Sequence, residues 1–284
     1  MADNDAIDAE RFKTLAYAVR RNNGYLARAE VERLLQKIDD KKRLEPFGFK
    51  IYSQNDEDGI LEEIFRRLNI EKGRFCEIGV EHGLECNSLY LIHKGWRGVW
   101  IDGNESWREF IQTKFAPVIP HRLTPVFTFL NLDNFNQTLA SLKLDEGELD
   151  LLSIDIDGND IYMLEAMVIR PKVLCIEYNA KFPGHVVKQP PYTPDFRWDQ
   201  TDYMGSSLKT VTAMANKKGY RLVGTSLAGT NAFFVRDDLA GDLFPDNATS
   251  EALYNPARYW LIWDCYDENG HPPSFGPYLD LMEP

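Results

Sequence analysis

From residue 74 onward the chain alternates short apolar runs with amphipathic stretches at a regular pace. Phe75–Ile78, Gly98–Asp102, Val126–Leu130, Leu151–Asp155 and Val173–Glu177 read as strands. None alternates apolar with polar positions, so both faces of each are covered and the strands run parallel. Asn87–Lys94, Glu105–Phe115, Phe135–Leu142 and Asp160–Val168 keep helical spacing between them, with Asn134 placed to cap the third. After an irregular stretch, Ser207–Lys218 is a further helix, and Tyr220–Gly224 and Asn231–Val235 are two more strands. Their connection, Ser226-Leu-Ala-Gly-Thr230, is too short for a crossover and forces an antiparallel pair at the sheet edge. The predicted fold is α/β: a Rossmann-like, seven-stranded, mostly parallel sheet with a terminal antiparallel hairpin.

Two flanks lie outside this alternation. Phe12, Leu15, Ala16 and Val19 keep helical spacing, as do Val31, Leu34, Leu35 and Ile38, and Asn22-Asn-Gly24 breaks one helix from the other. Such a pair suits packing on the main domain, a homodimer contact or a lid. At the other end, Leu243–Pro284 is irregular and aromatic, with Tyr254, Tyr259, Trp260, Trp263 and Tyr266. The division that results is an N-terminal helical extension over 1–48, a main domain over 49–238, and a C-terminal extension over 239–284 packed on that domain.

Composition narrows the partners. Against 32 basic residues stand 44 acidic ones, a net charge of −12, which disfavours nucleic acid because phosphate contact needs a concentrated basic face. The opening Met1-Ala-Asp-Asn-Asp has no apolar core and no run of about 18 apolar residues occurs, so neither signal peptide nor membrane span is expected. Cys76, Cys86, Cys175 and Cys265 are scattered and form no CxxC, as in a reduced, cytoplasmic protein.

The chemistry concentrates after the first strand. In Arg74-Phe-Cys-Glu-Ile-Gly-Val-Glu-His-Gly83, a buried strand runs into an acidic residue and a glycine turn, an ExGxxxG pattern of Glu77, Gly79 and Gly83. The second strand ends in Asp102, placed to accept hydrogen bonds from ribose hydroxyls. Dinucleotide binders use GxGxxG so that a pyrophosphate can sit on the helix N-terminus. Here Val80 and Glu81 fill the turn, and Glu81 would repel a pyrophosphate. A nucleoside without phosphates fits better, and S-adenosylmethionine (SAM) is the candidate. Upstream, Ser53, Asn55 and Asp56 can cap the helix that carries Ile60, Leu61, Ile64, Phe65 and Leu68, while Gln54 is the best donor to the amino-acid end of a cofactor.

The runs "SQNDEDGILEEIF", "FCEIGVEHGLECNSLYLIHKGWRGVWIDGN", "LLSIDIDGNDIYMLEAM", "VLCIEYNA" and "GSSLKTVTAMANKKGYRLVGTSLAGTNAFFVRDDL" resemble FkbM-type SAM-dependent methyltransferases, among them relatives found with bacterial surface-glycan and natural-product genes. The likeness spans roughly 50–238. It implies the class I methyltransferase fold, SAM as donor and a hydroxyl acceptor on a sugar or sugar-containing small molecule. By the same resemblance Glu77 faces the methionine amino group, Gly79 and Gly83 let the backbone close on the cofactor, Asp102 takes the ribose, and Asn131 or Asp133 reaches the adenine. Glu81 is a departure, since relatives often carry glycine there, and it implies a differently shaped turn.

On the acceptor side, Asp155 and Asp157 follow the fourth strand and Glu177 ends the fifth, where open α/β sheets place ligands. Asp155, Glu177 and Asn179 form an oxygen-rich set suited to Mg²⁺, an arrangement similar to that of metal-assisted methyltransferases such as catechol O-methyltransferase. Equally, Asp157 and Asp160 could cap the next helix. His185, in the loop after the fifth strand, is the first candidate for a catalytic base alongside Asp155, and His82 the second. The long segment 181–205, with Phe182, Tyr192, Phe196, Trp198 and Tyr203, offers aromatic faces for a sugar ring. Two alternatives stay open: an NAD-linked oxidoreductase, and a SAM-binding subunit without turnover.

Overall fold

The structure is a computed structural model and describes residues 2–266 and 274–276. Helix α1 (Ala2–Leu35) leads through a short 3-10 turn (Glu45–Phe47) to α2 (Glu57–Arg67). The alternation follows as β1 (Arg74–Ile78), α3 (Leu89–His93), β2 (Arg97–Asp102), α4 (Arg108–Lys114), β3 (Leu123–Phe127), α5 (Phe135–Ser141), β4 (Leu151–Ile154), α6 (Asp160–Ala166) and β5 (Val173–Glu177). It closes with α7 (Leu208–Lys217), β6 (Tyr220–Thr225), β7 (Asn231–Arg236), α8 (Asp237–Ala240) and α9 (Tyr259–Tyr266).

The strands form one sheet in the order β3-β2-β1-β4-β5-β7-β6. The first five are parallel, and β7 runs antiparallel to both β5 and β6. The antiparallel hairpin is as expected, with β7 inserted beside β5 and β6 outermost. Successive strand residues point to opposite faces, so each strand serves two cores. Cys76, Ile78, Leu152, Ile154, Leu174 and Ile176 face α5, α6 and α7 through Phe135, Ile161, Leu164 and Leu208. Phe75, Trp100, Leu151, Val173 and Cys175 face α2, α3 and α4 through Ile60, Ile64, Leu89 and Phe115. The doubly wound arrangement follows from these unbroken apolar runs.

Three expectations are corrected. The third strand begins at Leu123, before Pro125, and ends at Phe127. A proline is tolerated there because β3 is the sheet edge, where its missing N–H leaves no ladder bond unmade. The N-terminal helix is unbroken from Ala2 to Leu35, running through Asn22-Asn-Gly24. A mid-helix glycine costs only about 1 kcal/mol relative to alanine, and Gly24 is buried where the helix meets the body. The C-terminal stretch is not wholly irregular, since Tyr259–Tyr266 is helix α9 and packs on α1 through Leu261, Ile262 and Cys265. Residues 267–273 and 277–284 of that stretch lie outside the described ones. Among the described residues no helix is long and apolar enough to cross a membrane.

Candidate active site

Parallel strands bring the C-terminal ends of β1, β2, β4 and β5 to one edge of the sheet, and every feature of the site hangs from that edge. The glycine turn follows β1. Gly79 has φ +83° and donates its N–H to the Ile101 carbonyl at 2.9 Å. A Cβ on Gly79 would sit 1.6 Å from the carbonyl oxygen of Asp155, so the turn and the loop after β4 touch backbone to backbone. Gly83, at φ +80°, lies against the Trp100 ring, which a Cβ would meet at 2.6 Å. Glu81 adopts φ +47°, the left-handed conformation that its side chain disfavours. What holds it there is Asp102, whose Oδ2 accepts from the N–H groups of Val80 at 3.0 Å and Glu81 at 2.7 Å. Asp102 Oδ1 accepts from Asn104 N–H at 2.7 Å. This carboxylate therefore ties the turn after β1 to the loop after β2, and a ribose contact would share oxygens that already serve as acceptors.

Glu77 is likewise engaged by the protein. Its Oε1 accepts from Asn87 N–H at 2.7 Å, and its Oε2 from Ser88 N–H at 2.9 Å and from the Ser88 hydroxyl. These bonds anchor the start of α3, and Asn87 Nδ2 donates to Ser153 Oγ at 3.1 Å. Burial pushes the Glu77 carboxyl up to about 7. The side chain is thus turned to residues 87–88.

Upstream, Asp58 Oδ2 gathers the N–H groups of Ile51, Tyr52 and Ser53 at 2.6–2.9 Å. Ser53 Oγ accepts from Asp58 N–H at 3.1 Å. Asp56 does not cap α2 with its side chain; its Oδ2 accepts from Leu227 N–H at 2.9 Å. Gln54 and Ile51 are exposed in this loop, and Gln54 Oε1 accepts from Asn55 Nδ2 at 3.5 Å. Asn131 closes its own turn, with Oδ1 accepting from the N–H groups of Asp133 and Asn134 at 3.0 and 3.2 Å.

Past β4 and β5 the carboxylates converge. Asp155, Asp157 and Glu177 each place an oxygen within 4.8 Å of the others. Glu177 is buried to 4 % exposure, and its Oε2 has no hydrogen-bond partner. Burial and the neighbouring carboxylates hold Asp155 and Glu177 well above the usual range. Asp157 is pushed up to about 6 by burial and then by Glu81. Asp157 is the third member of this carboxylate cluster. The Asn179 amide donates to the carbonyls of Asp202 and Met204 at 3.0 and 2.6 Å, and its oxygen accepts from Lys181 N–H at 3.1 Å, so this side chain organises the 181–205 segment. Asp160, the first residue of α6, turns back to accept from Ile156 and Gly158 N–H at 2.8 and 2.9 Å and so fixes the loop after β4, while the N-cap position, Asn159, makes no side-chain cap.

The same segment covers the cluster. Gly205 N–H donates to the Asp157 carbonyl at 3.2 Å, and a Cβ on Gly205 would lie 3.8 Å from Glu177 Oε2. Phe196 lies against Gly158, close enough that a Cβ there would meet its ring at 2.5 Å. His185 is exposed on this segment and makes no hydrogen bond to a carboxylate of the cluster among the described residues. His82 accepts from Leu84 N–H at 3.1 Å and stands edge-on to Trp107 with centroids 5.5 Å apart.

Two residues of the site escape sequence reasoning. Asn231 lies directly across from Glu177 in the β5–β7 register. It donates to Glu57 Oε1 at 3.2 Å and leaves its buried Oδ1 without a partner. Tyr259 opens α9, and its phenol is pushed up to about 12 by burial and by Glu177. A carboxylate at a predicted strand end signals the first position, whereas nothing in the local sequence places α9 beside β5. The clefts lined by Phe47, Glu62, Arg66 and Trp96, and by Lys72, Glu148 and Lys172, open at the other end of the strands.

So many raised carboxyls dictate a pH dependence. Asp56 is pushed up to about 8, Asp160 and Glu77 to about 7, and Asp58 and Asp157 to about 6, burial being the first cause for each. Unfolded carboxyls titrate near ~4, so between these values the folded state binds more protons than the unfolded one. The associated stability is fully present below the unfolded values and is lost as pH rises through the folded ones. The thermal midpoint is expected to fall steadily from about pH 5 to about pH 8, as measured by scanning calorimetry in metal-free buffer. A midpoint that rises over that interval would contradict the burial of these groups.

No protein-family model matches the sequence, and no curated protein matches it significantly. Among solved structures the chain is similar to a protein assigned as a caffeoyl-CoA O-methyltransferase from Staphylococcus aureus, at 14 % identity and TM-score 0.44, over 82 % of this chain and 98 % of that one. It is also similar to the N-terminal domain of EvdMO1 solved with S-adenosylhomocysteine (SAH) bound, at 14 % identity and TM-score 0.40, over 73 % and 94 % of the two chains. A third is a SAM-dependent methyltransferase from Aquifex aeolicus, at 13 % identity and TM-score 0.35, over 72 % and 95 %. Likeness at this level concerns the course of the chain and carries nothing about its chemistry.

Proposed function

We propose that this chain is a SAM-dependent O-methyltransferase of the class I fold, acting on a hydroxyl of a sugar or sugar-containing small molecule. The observation that carries the reading is the pairing of two features at one sheet edge: a glycine turn tied down by Asp102, and a carboxylate cluster at the ends of the next two strands, β4 and β5. Glu81 and Asp157, which oppose an anionic pyrophosphate, favour a ligand whose sulfonium and ammonium are positive.

Methyl transfer is an in-line displacement: the acceptor oxygen attacks the methyl carbon, the carbon–sulfur bond breaks, and its electron pair stays on sulfur. Alignment of the two reactants supplies much of the rate. The hydroxyl proton needs a base, and Asp155, with its raised affinity for protons, sits at the end of β4 where the acceptor would lie. His185, exposed and unconnected to the cluster, is the weaker candidate. Aromatic side chains of the 181–205 segment, Phe196 and Tyr203 among them, supply a face for a sugar ring.

The donor set suits a divalent cation. Three carboxylates share a small volume and one buried oxygen lacks a partner, so Asp155, Asp157 and Glu177 would hold Mg²⁺. When bound, the ion would supply acidification of the acceptor hydroxyl.

Isothermal titration with SAM, SAH and NAD tests the cofactor. SAM and SAH are expected to bind with one site per chain and NAD not to bind. Binding of NAD alone would give the chain to the oxidoreductase class. Methyl transfer from labelled SAM to a panel of sugar acceptors, with and without EDTA, then tests turnover and metal. Cofactor binding with no transfer to any acceptor would favour a subunit without turnover.

A further inference from the structure

The first part of α1 presents its side chains to solvent. Every residue from 10 to 23 is exposed, a length of about 21 Å at 1.5 Å per residue. From Ala27 onward the helix is docked, with Ala27, Val31 and Leu35 against Leu261, Ile262 and Cys265. The projecting part is not made for water. Phe12 is 72 % exposed, Leu15 62 %, Val19 51 % and Leu26 64 %. Their spacing, with Asn22 between Val19 and Leu26, follows the alternating three- and four-residue steps of a coiled-coil seam, one polar position included. A continuous apolar stripe of this kind marks an interaction surface.

We infer that the stripe pairs with the same stripe of a second copy of this chain, antiparallel about a two-fold axis near Leu15 and Ala16. The stripe is complementary to itself in that orientation: Phe12 meets Val19 of the partner subunit, and Leu15 packs beside the small Ala16 of the partner subunit. Sterics agree. Antiparallel helices keep the two bodies at opposite ends of the seam, whereas a parallel pair would crowd both docked segments, each with its α9, into one place. The area also suffices. Phe12, Leu15, Val19, Tyr25 and Leu26 from two chains, at roughly 100 Å² each, remove about 1,000 Å² from water, where specific interfaces begin. Because the docked half of α1 holds α9, and α9 begins with Tyr259 beside Glu177, the pair is continuous with the wall of the candidate active site.

Sedimentation velocity of the full chain is expected to give twice the 32.7 kDa of one chain at micromolar concentration. The double substitution Leu15→Glu and Val19→Glu should return it to one chain. Leu15 is 62 % and Val19 51 % exposed, so SAM affinity of the variant should stay within twofold. Orientation is read by mixing F12C with V19C under mild oxidation: the mixture should cross-link, and neither variant alone. A wild-type mass of one chain across the concentration range overturns the inference. So does a dimer that persists in the double variant, cross-linking of F12C with itself, or a monomer that co-sediments with phosphatidylglycerol vesicles.

Discussion

Alanine at Gly79 is expected to abolish SAM binding and to cost about 2–4 kcal/mol of stability, since it joins a left-handed backbone to a backbone collision. The added carbon would sit 1.6 Å from the Asp155 carbonyl oxygen, and that atom belongs to a strand end that cannot yield. Relief requires the turn to part from the loop after β4, which pulls Val80 and Glu81 away from Asp102. Gly147 supplies the control. It has φ +77°, and a Cβ there would meet only an Arg74 nitrogen at 3.5 Å. Gly147→Ala thus carries the conformational strain without the collision and should cost about 1–2 kcal/mol with cofactor affinity unaltered. Chemical denaturation and titration calorimetry on the two variants separate the effects. Wild-type SAM affinity in Gly79→Ala would contradict the geometry of the turn.

The second large effect has opposite signs in its two readouts. Asp155→Asn and Glu177→Gln should each lower turnover by about 10²–10⁴-fold, the range of a lost proton acceptor or of a disrupted acceptor site. Thermal stability should rise over wild type as pH is raised, because each change removes a buried carboxyl whose ionised form burial and the neighbouring carboxylates disfavour. Residues kept for folding behave in the reverse way. The gain should shrink as pH falls, because the raised proton affinity of the wild-type groups favours their neutral form. A loss of stability at pH 8 together with unchanged turnover would assign the cluster a structural role.

The sheet was legible because its strands are unbroken apolar runs separated by helical spacing, a pattern that states both topology and burial. Pro125 hid the start of β3, since a proline argues against a strand unless the strand is known to be an edge. Gly24 misled in the other direction: a glycine after two asparagines reads as a helix end, but the docked half of α1 carries the helix through. At the site, positions were more legible than roles. Glu77, Gly79, Gly83 and Asp102 do gather at one turn, as their spacing implies. Yet Glu77 and Asp102 spend their oxygens on the backbone of residues 80, 81, 87, 88 and 104, which no spacing rule reveals. Asp155 and Glu177 meet because adjacent parallel strands end together. Asn179 is drawn off by the carbonyls of the long covering segment, and Asp157 turns in through its positive φ of 62°. Tyr259 was out of reach, for its neighbour Glu177 lies 82 positions earlier in the chain.

A crystal structure of the chain soaked with SAH bears most directly on the whole account. The adenosine is expected to lie along residues 79–83, its ribose hydroxyls within hydrogen-bond reach of Asp102 while that carboxylate keeps Val80 and Glu81, and its sulfur directed toward Asp155. Nucleoside density at any other edge of the sheet, or none at saturating SAH, would contradict it.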